Sequence, residues 1–166
     1  MISIALLGFG CVGSGTAEVL TENKKLIEAR LGCEYKIKYI LDLRDFPDSP
    51  YCDRVTHDYQ DILDDGEISV ICETMGGKEP AFTFSKKALE RGISVCTSNK
   101  ELVAAHGPEL LQIAKANNCS YLFEASVGGG IPLLRPINAC LTQEDMTAVF
   151  GILNGTTNYI LTRMEK

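Results

Sequence analysis

The sequence predicts an α/β domain built on a doubly wound, parallel β-sheet. Short apolar runs of strand type alternate along the chain with longer segments of helical spacing, and this alternation is typical of right-handed β-α-β units. A glycine-rich turn, residues 8–13, follows the first apolar run and leads directly into the first helical segment. A turn of this kind connects the first strand of many parallel sheets to its helix, so both observations indicate the same fold class.

Six segments are expected to form strands, because each is a short apolar run bounded by turn residues. They are residues 2–8, 36–43, 68–74, 93–98, 120–125 and 147–154. Residues 68–74 begin with a nearly continuous apolar run, as expected of a strand that is buried on both faces. Residues 45–58 contain two prolines and show no periodicity, which predicts a loop.

Helices are expected where apolar residues recur at three- and four-residue spacing. The segments are 14–31, 59–64, 79–91, 100–117 and 132–141, with a new helix starting after residue 154. Pro80 near the start of 79–91 and Gly92 just beyond its end show the usual asymmetry of helix termini. The pair Gly107-Pro108 predicts that 100–117 is broken into two pieces. Pro136 is compatible with a helix only in the first turn, where its missing N–H costs little.

The composition argues against several classes of partner. The 166 residues carry a formal net charge of −6, which disfavours a nucleic acid or an anionic membrane as the main partner. No run approaches the roughly 18 apolar residues of a membrane-spanning helix, and the N-terminal run lacks a basic leader. We therefore expect a cytoplasmic protein. The seven cysteines form no CxxC pair and the two histidines are isolated, which predicts reduced cysteines and surface histidines rather than a metal site built from cysteine or histidine.

The glycine-rich turn matches the dinucleotide fingerprint G-x-G-x-x-G. Its residues are Gly8, Phe9, Gly10, Cys11, Val12 and Gly13. The first glycine permits the tight turn, the second lets the backbone approach a pyrophosphate, and the third lets helix and strand pack closely. The helix N-terminus then offers free N–H groups to the phosphates. The position between strand and helix favours dinucleotide binding in a Rossmann-type domain over a glycine turn that is merely a connection.

The choice between NAD and NADP is left open by the end of the second strand. Asp42 there would accept hydrogen bonds from the ribose hydroxyls and favour NAD, whereas Arg44 would pair with a 2′-phosphate and favour NADP. Both residues are present, and at least one of them is expected to be a solvated strand end.

Five segments carry a family resemblance. They are GFGCVGSG (8–15), ETMGG (73–77), TSNKEL (97–102), EASVGGGIPLL (124–134) and GILNGTTNYIL (151–161). Their sequences and order resemble those of the homoserine dehydrogenase family. The resemblance implies an enzyme that reduces L-aspartate 4-semialdehyde to L-homoserine with NADPH or NADH, on the route to threonine, methionine and isoleucine.

The resemblance also implies a division of the chain. Residues 1–130 are expected to form the dinucleotide-binding domain, and residues 131–166 to begin an incomplete substrate and dimerisation domain, which implies a homodimer. A second catalytic lysine and the acidic residues that grip the substrate are expected beyond residue 166. We therefore expect this chain alone to bind nucleotide and to turn over little substrate.

The resemblance assigns roles to particular residues. Thr74, Met75 and Gly76 are expected to line the cofactor, with Thr74 the looser assignment. Lys100 is expected to contact the cofactor and to act as the catalytic residue, because an ammonium at the carboxyl edge of the sheet can stabilise the alkoxide that hydride addition creates. The alternative is a surface lysine at a helix start. Gly155 is expected near the nicotinamide or the substrate, the alternative being a helix cap.

A sodium ion is implied at the second glycine-rich segment. The ligands carried over from the family are Glu124, Val127, Gly129 and Ile131, and a carboxylate with turned carbonyl oxygens suits a hard cation. A glycine-rich hinge between domains is compatible with the same sequence.

Two other functions compete with this enzyme. One is a stand-alone nucleotide-binding or sensor module without catalytic activity, and Lys100 argues weakly against it. The other is a different semialdehyde or amino-acid dehydrogenase, against which the segment NGTTNYIL (154–161) argues.

Overall fold

The structure, a computed structural model, describes residues 1–141, 143–151 and 155–165. The chain divides into two compact units, residues 1–123 and 124–166, and each is described by itself. The first unit contains a six-stranded, wholly parallel sheet with helices on both faces. The predicted fold class is therefore confirmed.

The elements follow one another in the order of β-α-β units. The strands are β1 (Ile2–Leu7), β2 (Tyr35–Leu41), β3 (Val55–Thr56), β4 (Ile68–Glu73), β5 (Ser94–Thr97) and β6 (Tyr121–Leu122). The helices are α1 (Cys11–Glu22), α2 (Lys24–Leu31), α3 (Tyr59–Asp64), α4 (Ala81–Glu90), α5 (Lys100–Ala116), α6 (Leu134–Cys140) and α7 (Gly155–Met164).

The order of strands places the functional edge of the sheet. The sheet runs β3-β2-β1-β4-β5-β6. From β1 the chain adds β2 and β3 on one side and then crosses over to add β4, β5 and β6 on the other, so the strand order reverses between β1 and β4. In open parallel sheets the crevice at this switch point, beyond the carboxyl ends of the strands, is where ligands bind. The loops after β1, β2, β4 and β5 all emerge at that edge.

Both faces of the sheet are covered by helices, and β1 shows how the sequence achieves this. Ile4 and Leu6 pack into the cluster that includes α1, whereas Ala5 and Leu7 pack into the cluster that includes α3, α4 and α5. Successive side chains of a strand point to opposite faces. A continuous apolar run is therefore what a strand buried on both faces requires.

The segment 45–58, expected to be a loop, contains two short regular elements. A single 3₁₀ turn spans Cys52–Arg54, and β3 follows it and pairs with the end of β2. The expectation of an irregular loop is therefore wrong here. A strand of two residues has no alternation to detect, so periodicity could not reveal it.

Helix α5 is continuous, so the prediction of two pieces is wrong. Pro108 lacks the N–H that would bond the carbonyl of Ala104, but both residues are exposed and water can donate to that carbonyl. Leu102 and Leu110, on either side of the proline, are fully buried. Their burial holds both halves of the helix against the core.

The helix predicted at 14–31 is two helices and begins earlier. Helix α1 starts at Cys11, directly after the N-cap Gly10. Asn23 ends α1 and precedes α2, with φ −95° and ψ 15°. Gly32 ends α2 in the left-handed conformation at φ +69°, as expected of a helix C-cap.

The second unit contains a 3₁₀ turn at Glu124–Ser126 and helices α6 and α7. The 3₁₀ turn shortens the strand predicted at 120–125 to the two residues of β6. Pro136 lies in the first turn of α6, as its chemistry requires. The strand predicted at 147–154 is wrong for residues 147–151, which form no strand, while residues 152–154 lie outside the described residues. Within the described part of the chain, no helix has the length and apolarity needed to cross a membrane.

Candidate dinucleotide-binding site

The glycine turn links β1 to α1 at the switch point of the sheet. Gly8 has φ +89°, a conformation that favours glycine, and its N–H donates to the carbonyl of Leu41 at 2.8 Å. Phe9 is buried and its ring makes edge contacts with Phe46 and Tyr51, at centroid distances of 5.0 and 5.9 Å. The turn is thereby fixed to the end of β2.

Gly13 makes the closest approach between α1 and the turn. A Cβ atom added there would lie 2.1 Å from the carbonyl oxygen of Gly8 and 2.9 Å from the hydroxyl of Thr74. Gly10, the N-cap, has no side chain to cap α1. The exposed residues Cys11 and Val12 open the helix. The N–H groups of its first turn are therefore available to an anion.

Asp42 and Arg44 form one ion pair directly after β2. The Asp42 carboxylate accepts hydrogen bonds from the N–H of Phe9 at 2.7 Å and from the N–H of Arg44 at 3.0 Å. The Arg44 guanidinium donates to both carboxylate oxygens, at 3.0 and 3.1 Å. Arg44 lowers the pKa of the Asp42 carboxyl to about 2. The Asp42 side chain is 10% exposed and that of Arg44 is 63% exposed, so the arginine is the more accessible partner of the pair.

A cavity of about 520 Å³ lies at this edge of the sheet. Seven of the predicted cofactor residues line it: Gly8, Gly10, Asp42, Arg44, Thr74, Met75 and Gly76. Its other walls include His57, Tyr59 and Phe84, which the sequence did not indicate. The rings of Tyr59 and Phe84 stack at a centroid distance of 4.0 Å, which gives the cavity an apolar wall.

His57 connects the end of β2 to the loop that follows it, a contact that the sequence did not predict. Its Nδ1 lies 2.7 Å from the carbonyl oxygen of Asp42, and its Nε2 lies 3.0 Å from a carboxylate oxygen of Asp45. These two acceptors raise the pKa of His57 above its ordinary value. The contact forms because β3 pairs with β2 and so places residue 57 beside Asp42. It could have been predicted only from that strand pairing, and β3 is too short to be recognised by periodicity.

The loop after β4 is bonded to the glycine turn. The Thr74 hydroxyl lies within hydrogen-bond distance of two carbonyl oxygens, those of Leu7 at 3.0 Å and Gly8 at 2.9 Å, and its single proton is shared between them. Its hydroxyl is therefore used to hold the turn, and Met75 packs against the place where a Cβ at Gly8 would stand. Gly76 completes this side of the cavity.

Lys100 is the first residue of α5 and is exposed. It follows Asn99, whose side chain caps the helix by accepting the N–H of Leu102 at 3.1 Å. Within the part of the chain that the structure describes, Lys100 does not line the cavity, although it lies at the same carboxyl edge of the sheet. A cation at a helix N-terminus is electrostatically disfavoured, so its position calls for another reason.

Two predicted site regions lie in the second unit. Glu124 accepts three backbone N–H groups at the start of α6, from Leu133 at 2.6 Å, Leu134 at 2.9 Å and Arg135 at 2.7 Å. These bonds, with that of Leu133 foremost, lower the pKa of the Glu124 carboxyl. Gly155 is the first residue of α7, and its assignment to the cofactor stays a prediction.

The strand order and the glycine turn at the switch point define the class: an NAD(P)-binding domain of the Rossmann type. A family model described as homoserine dehydrogenase, NAD binding domain, matches residues 8–124, and a second one, described as homoserine dehydrogenase, matches residues 132–166. The chain belongs to the homoserine dehydrogenase family.

Individual relatives agree with this assignment. The homoserine dehydrogenase of Bacillus subtilis is 39% identical over 99% of this chain and 39% of its own length. The crystal structure of a homoserine dehydrogenase from Thiobacillus denitrificans superposes with a TM-score of 0.87 at 37% identity, over 98% of this chain and 38% of that one. A hyperthermophilic archaeal homoserine dehydrogenase in complex with NADPH gives a TM-score of 0.68 at 26% identity, over 82% and 47%. The chain spans about two-fifths of the length of the curated relatives it matches.

Proposed function

We propose that the protein reduces L-aspartate 4-semialdehyde to L-homoserine with a nicotinamide dinucleotide. The observation that carries the proposal is the shared sheet edge: the glycine turn, the loop after β4 and the first residue of α5 all emerge there, in a chain of this family. In this proposal residues 1–130 hold the dinucleotide and residues 131–166 begin the substrate domain. The family match at 132–166 supports that division. The homodimer stays a prediction.

Lys100 is the residue proposed to act on the reacting carbonyl. When bound, the nicotinamide supplies the hydride. The Lys100 ammonium donates a hydrogen bond to the aldehyde oxygen and stabilises the negative charge that develops on it. The N–H groups at the start of α1 and the glycine turn hold the pyrophosphate and so fix the dinucleotide along the crevice.

The test is an assay of the whole gene product that carries this sequence. With L-aspartate 4-semialdehyde as substrate, we expect oxidation of NADPH or NADH and formation of L-homoserine. Tight nucleotide binding without turnover would favour the competing sensor module. Absence of nucleotide binding would contradict both functions.

We propose further that Arg44, and not Asp42, reads the adenosine ribose, so that the protein prefers NADP. A carboxylate offers about four lone-pair positions, and the Asp42 carboxylate already accepts four hydrogen bonds, three of them from Arg44. It therefore has little capacity left for ribose hydroxyls. The guanidinium keeps unused N–H donors and faces the cavity, and the archaeal relative with bound NADPH supports the same choice.

Arg44→Ala is expected to weaken NADPH binding about tenfold, because a charge-assisted pair with a phosphate contributes about 1.4 kcal/mol or more. NADH binding should change less than about threefold, since NADH lacks the 2′-phosphate. Calorimetric titration of both nucleotides measures the difference. Arg30→Ala, at an exposed position of α2, is the control. An equal loss for the two nucleotides would contradict the assignment.

We also propose a sodium ion at the turn that follows Glu124. Three hydrogen bonds leave its carboxylate about one lone-pair position. The remaining ligands would be the carbonyl oxygens of Val127, Gly129 and Ile131, in a turn with positive φ at Gly128 and Gly129. These hard oxygen donors suit the ion. Sodium chloride should then raise the unfolding temperature of the gene product more than choline chloride at equal concentration, and identical curves would contradict the site.

A further inference from the structure

A ring of buried hydrogen bonds joins the loops that follow β4 and β5. Glu73, the last residue of β4, is fully buried. One of its carboxylate oxygens accepts the N–H of Met75 at 2.8 Å, and the other accepts the hydroxyl of Thr97. The Thr97 oxygen accepts the N–H of Asn99 at 2.9 Å. The Asn99 amide donates to the carbonyl of Gly77 at 2.6 Å, which closes the ring.

The ring lies next to residues of the proposed site on two sides. On one side, Met75 and its neighbour Thr74 line the cavity, and Thr74 is bonded to the glycine turn. On the other side, Asn99 caps α5 and immediately precedes Lys100. Hydrogen bonds and the short backbone segments between them therefore connect Gly8 to the start of α5, with the Glu73 carboxylate at the centre.

Burial of the Glu73 carboxylate costs free energy, because the group loses its contact with water and needs hydrogen bonds from the protein in its place. Burial raises the pKa of its carboxyl, and the hydrogen bonds from Thr97 and Met75 oppose that rise. A carboxylate accepts at both oxygens, and the ring needs two acceptors at this point. An amide or an apolar side chain of the same size would leave Met75 or Thr97 without its acceptor.

We propose that Glu73 is a positioning residue that sets the loop after β4 and the N-terminus of α5 in one fixed relation, so that the nicotinamide half of the dinucleotide and Lys100 are aligned. The inference rests on the proposed function. It assigns Glu73 to the half of the site beside β4 and β5. The adenosine half lies beside β1 and β2, at Asp42 and Arg44, and none of the hydrogen bonds of the ring involves either of these two residues.

Two ligands separate the halves of the site in an experiment. NADPH occupies both halves, whereas adenosine 2′,5′-bisphosphate occupies only the adenosine half. The gene product and its Glu73→Gln variant are titrated with each ligand. We expect Glu73→Gln to weaken NADPH binding about tenfold, the effect of losing about one charge-assisted hydrogen bond, and to change the affinity for the bisphosphate less than about twofold.

Two variants of Thr97 test the same ring without altering a charge. Thr97→Val removes the hydroxyl while keeping the side-chain shape, and Thr97→Ser restores it. We expect the valine variant to behave like Glu73→Gln and the serine variant to bind NADPH like the original protein. Unfolding temperatures, measured on every variant, separate positioning from loss of fold.

The outcomes distinguish the inference from the function on which it rests. If the unchanged protein binds neither ligand, the proposed function fails. If it binds both and the variants weaken both ligands equally, or weaken neither, the function stands and the positioning role of Glu73 is overturned. A serine variant as weak as the valine variant would also overturn it.

Discussion

Replacing Gly13 by alanine is expected to abolish nucleotide binding and to destabilise the first unit. The new methyl group would lie 2.1 Å from the carbonyl oxygen of Gly8 and 3.0 Å from its carbonyl carbon. These are backbone atoms of a turn held by bonds to Leu41 and Thr74, so neither α1 nor the turn can yield cheaply. Overpacking of this kind costs about 1–3 kcal/mol, and any relief moves the N–H groups that would hold the pyrophosphate.

Two neighbouring glycines provide matched controls in the same turn and helix. Apart from the adjoining residues and the nearby backbone of the same helix, no atom of the described residues lies within 4 Å of a Cβ built at Gly10 or at Gly15. Gly10→Ala should keep the unfolding temperature but lose nucleotide affinity, because its methyl group occupies the path of the pyrophosphate. Gly15→Ala, inside α1, should keep nucleotide affinity and raise stability by up to about 1 kcal/mol.

Thermal unfolding and NADPH titration of the three variants decide the matter. The expected pattern is loss of stability and binding for Gly13→Ala, loss of binding alone for Gly10→Ala, and neither loss for Gly15→Ala. If Gly13→Ala were as stable as the original protein and bound NADPH normally, the close approach between turn and helix would not be needed for the site.

The glycine turn shows why much of this fold could be predicted. Its role depends on local backbone geometry, and the apolar run before it and the helical spacing after it are local patterns too. The alternation of strands and helices then predicted a parallel sheet of right-handed β-α-β units, whereas the order of its strands came from the structure. The parallel sheet and the edge at which the ligand site lies could therefore be derived before any contact was known.

Other features depend on contacts between segments that are distant in sequence. Glu73 and Thr97 lie 24 positions apart, and no local pattern indicates that their side chains are hydrogen-bonded to each other. His57 faces the carbonyl of Asp42 only because β3 pairs with β2. In the same way, the continuity of α5 through Pro108 follows from tertiary burial of Leu102 and Leu110, which overrides the local penalty of proline.

The pair formed by Asp42 and Arg44 illustrates an alternative that only geometry could narrow. From the sequence, either residue could read the ribose. The structure shows that they are not independent, since the guanidinium occupies both oxygens of the carboxylate. Because the carboxylate accepts hydrogen bonds from Arg44 at both oxygens, it orients the arginine instead of binding the ribose hydroxyls. This is why we propose a preference for NADP.

Replacing Lys100 by methionine is expected to lower the rate of aldehyde reduction by about 10²–10³-fold, the usual loss when one donor to a developing oxyanion is removed. Methionine keeps the length of the side chain but cannot donate a hydrogen bond. Lys100 does not line the cavity formed by the described residues, so NADPH affinity should change less than about twofold. Steady-state kinetics and nucleotide titration of the whole gene product measure the two effects separately.

Lys100→Met is also expected to change stability in a direction opposite to that of an ordinary loss of contacts. An ammonium in the first turn of α5 opposes the helix dipole, by about 0.3–1 kcal/mol, so Lys100→Met should leave the unfolding temperature unchanged or raise it. Lys115→Met, in the last turn of the same helix, removes a charge that the dipole favours and should lower stability slightly while leaving the rate unchanged. If Lys100 lowers the stability of the helix and is nevertheless needed for turnover, then its position at the start of α5 is explained by its role in catalysis. If the rate of Lys100→Met equalled that of Lys115→Met, Lys100 would be a surface lysine at a helix start.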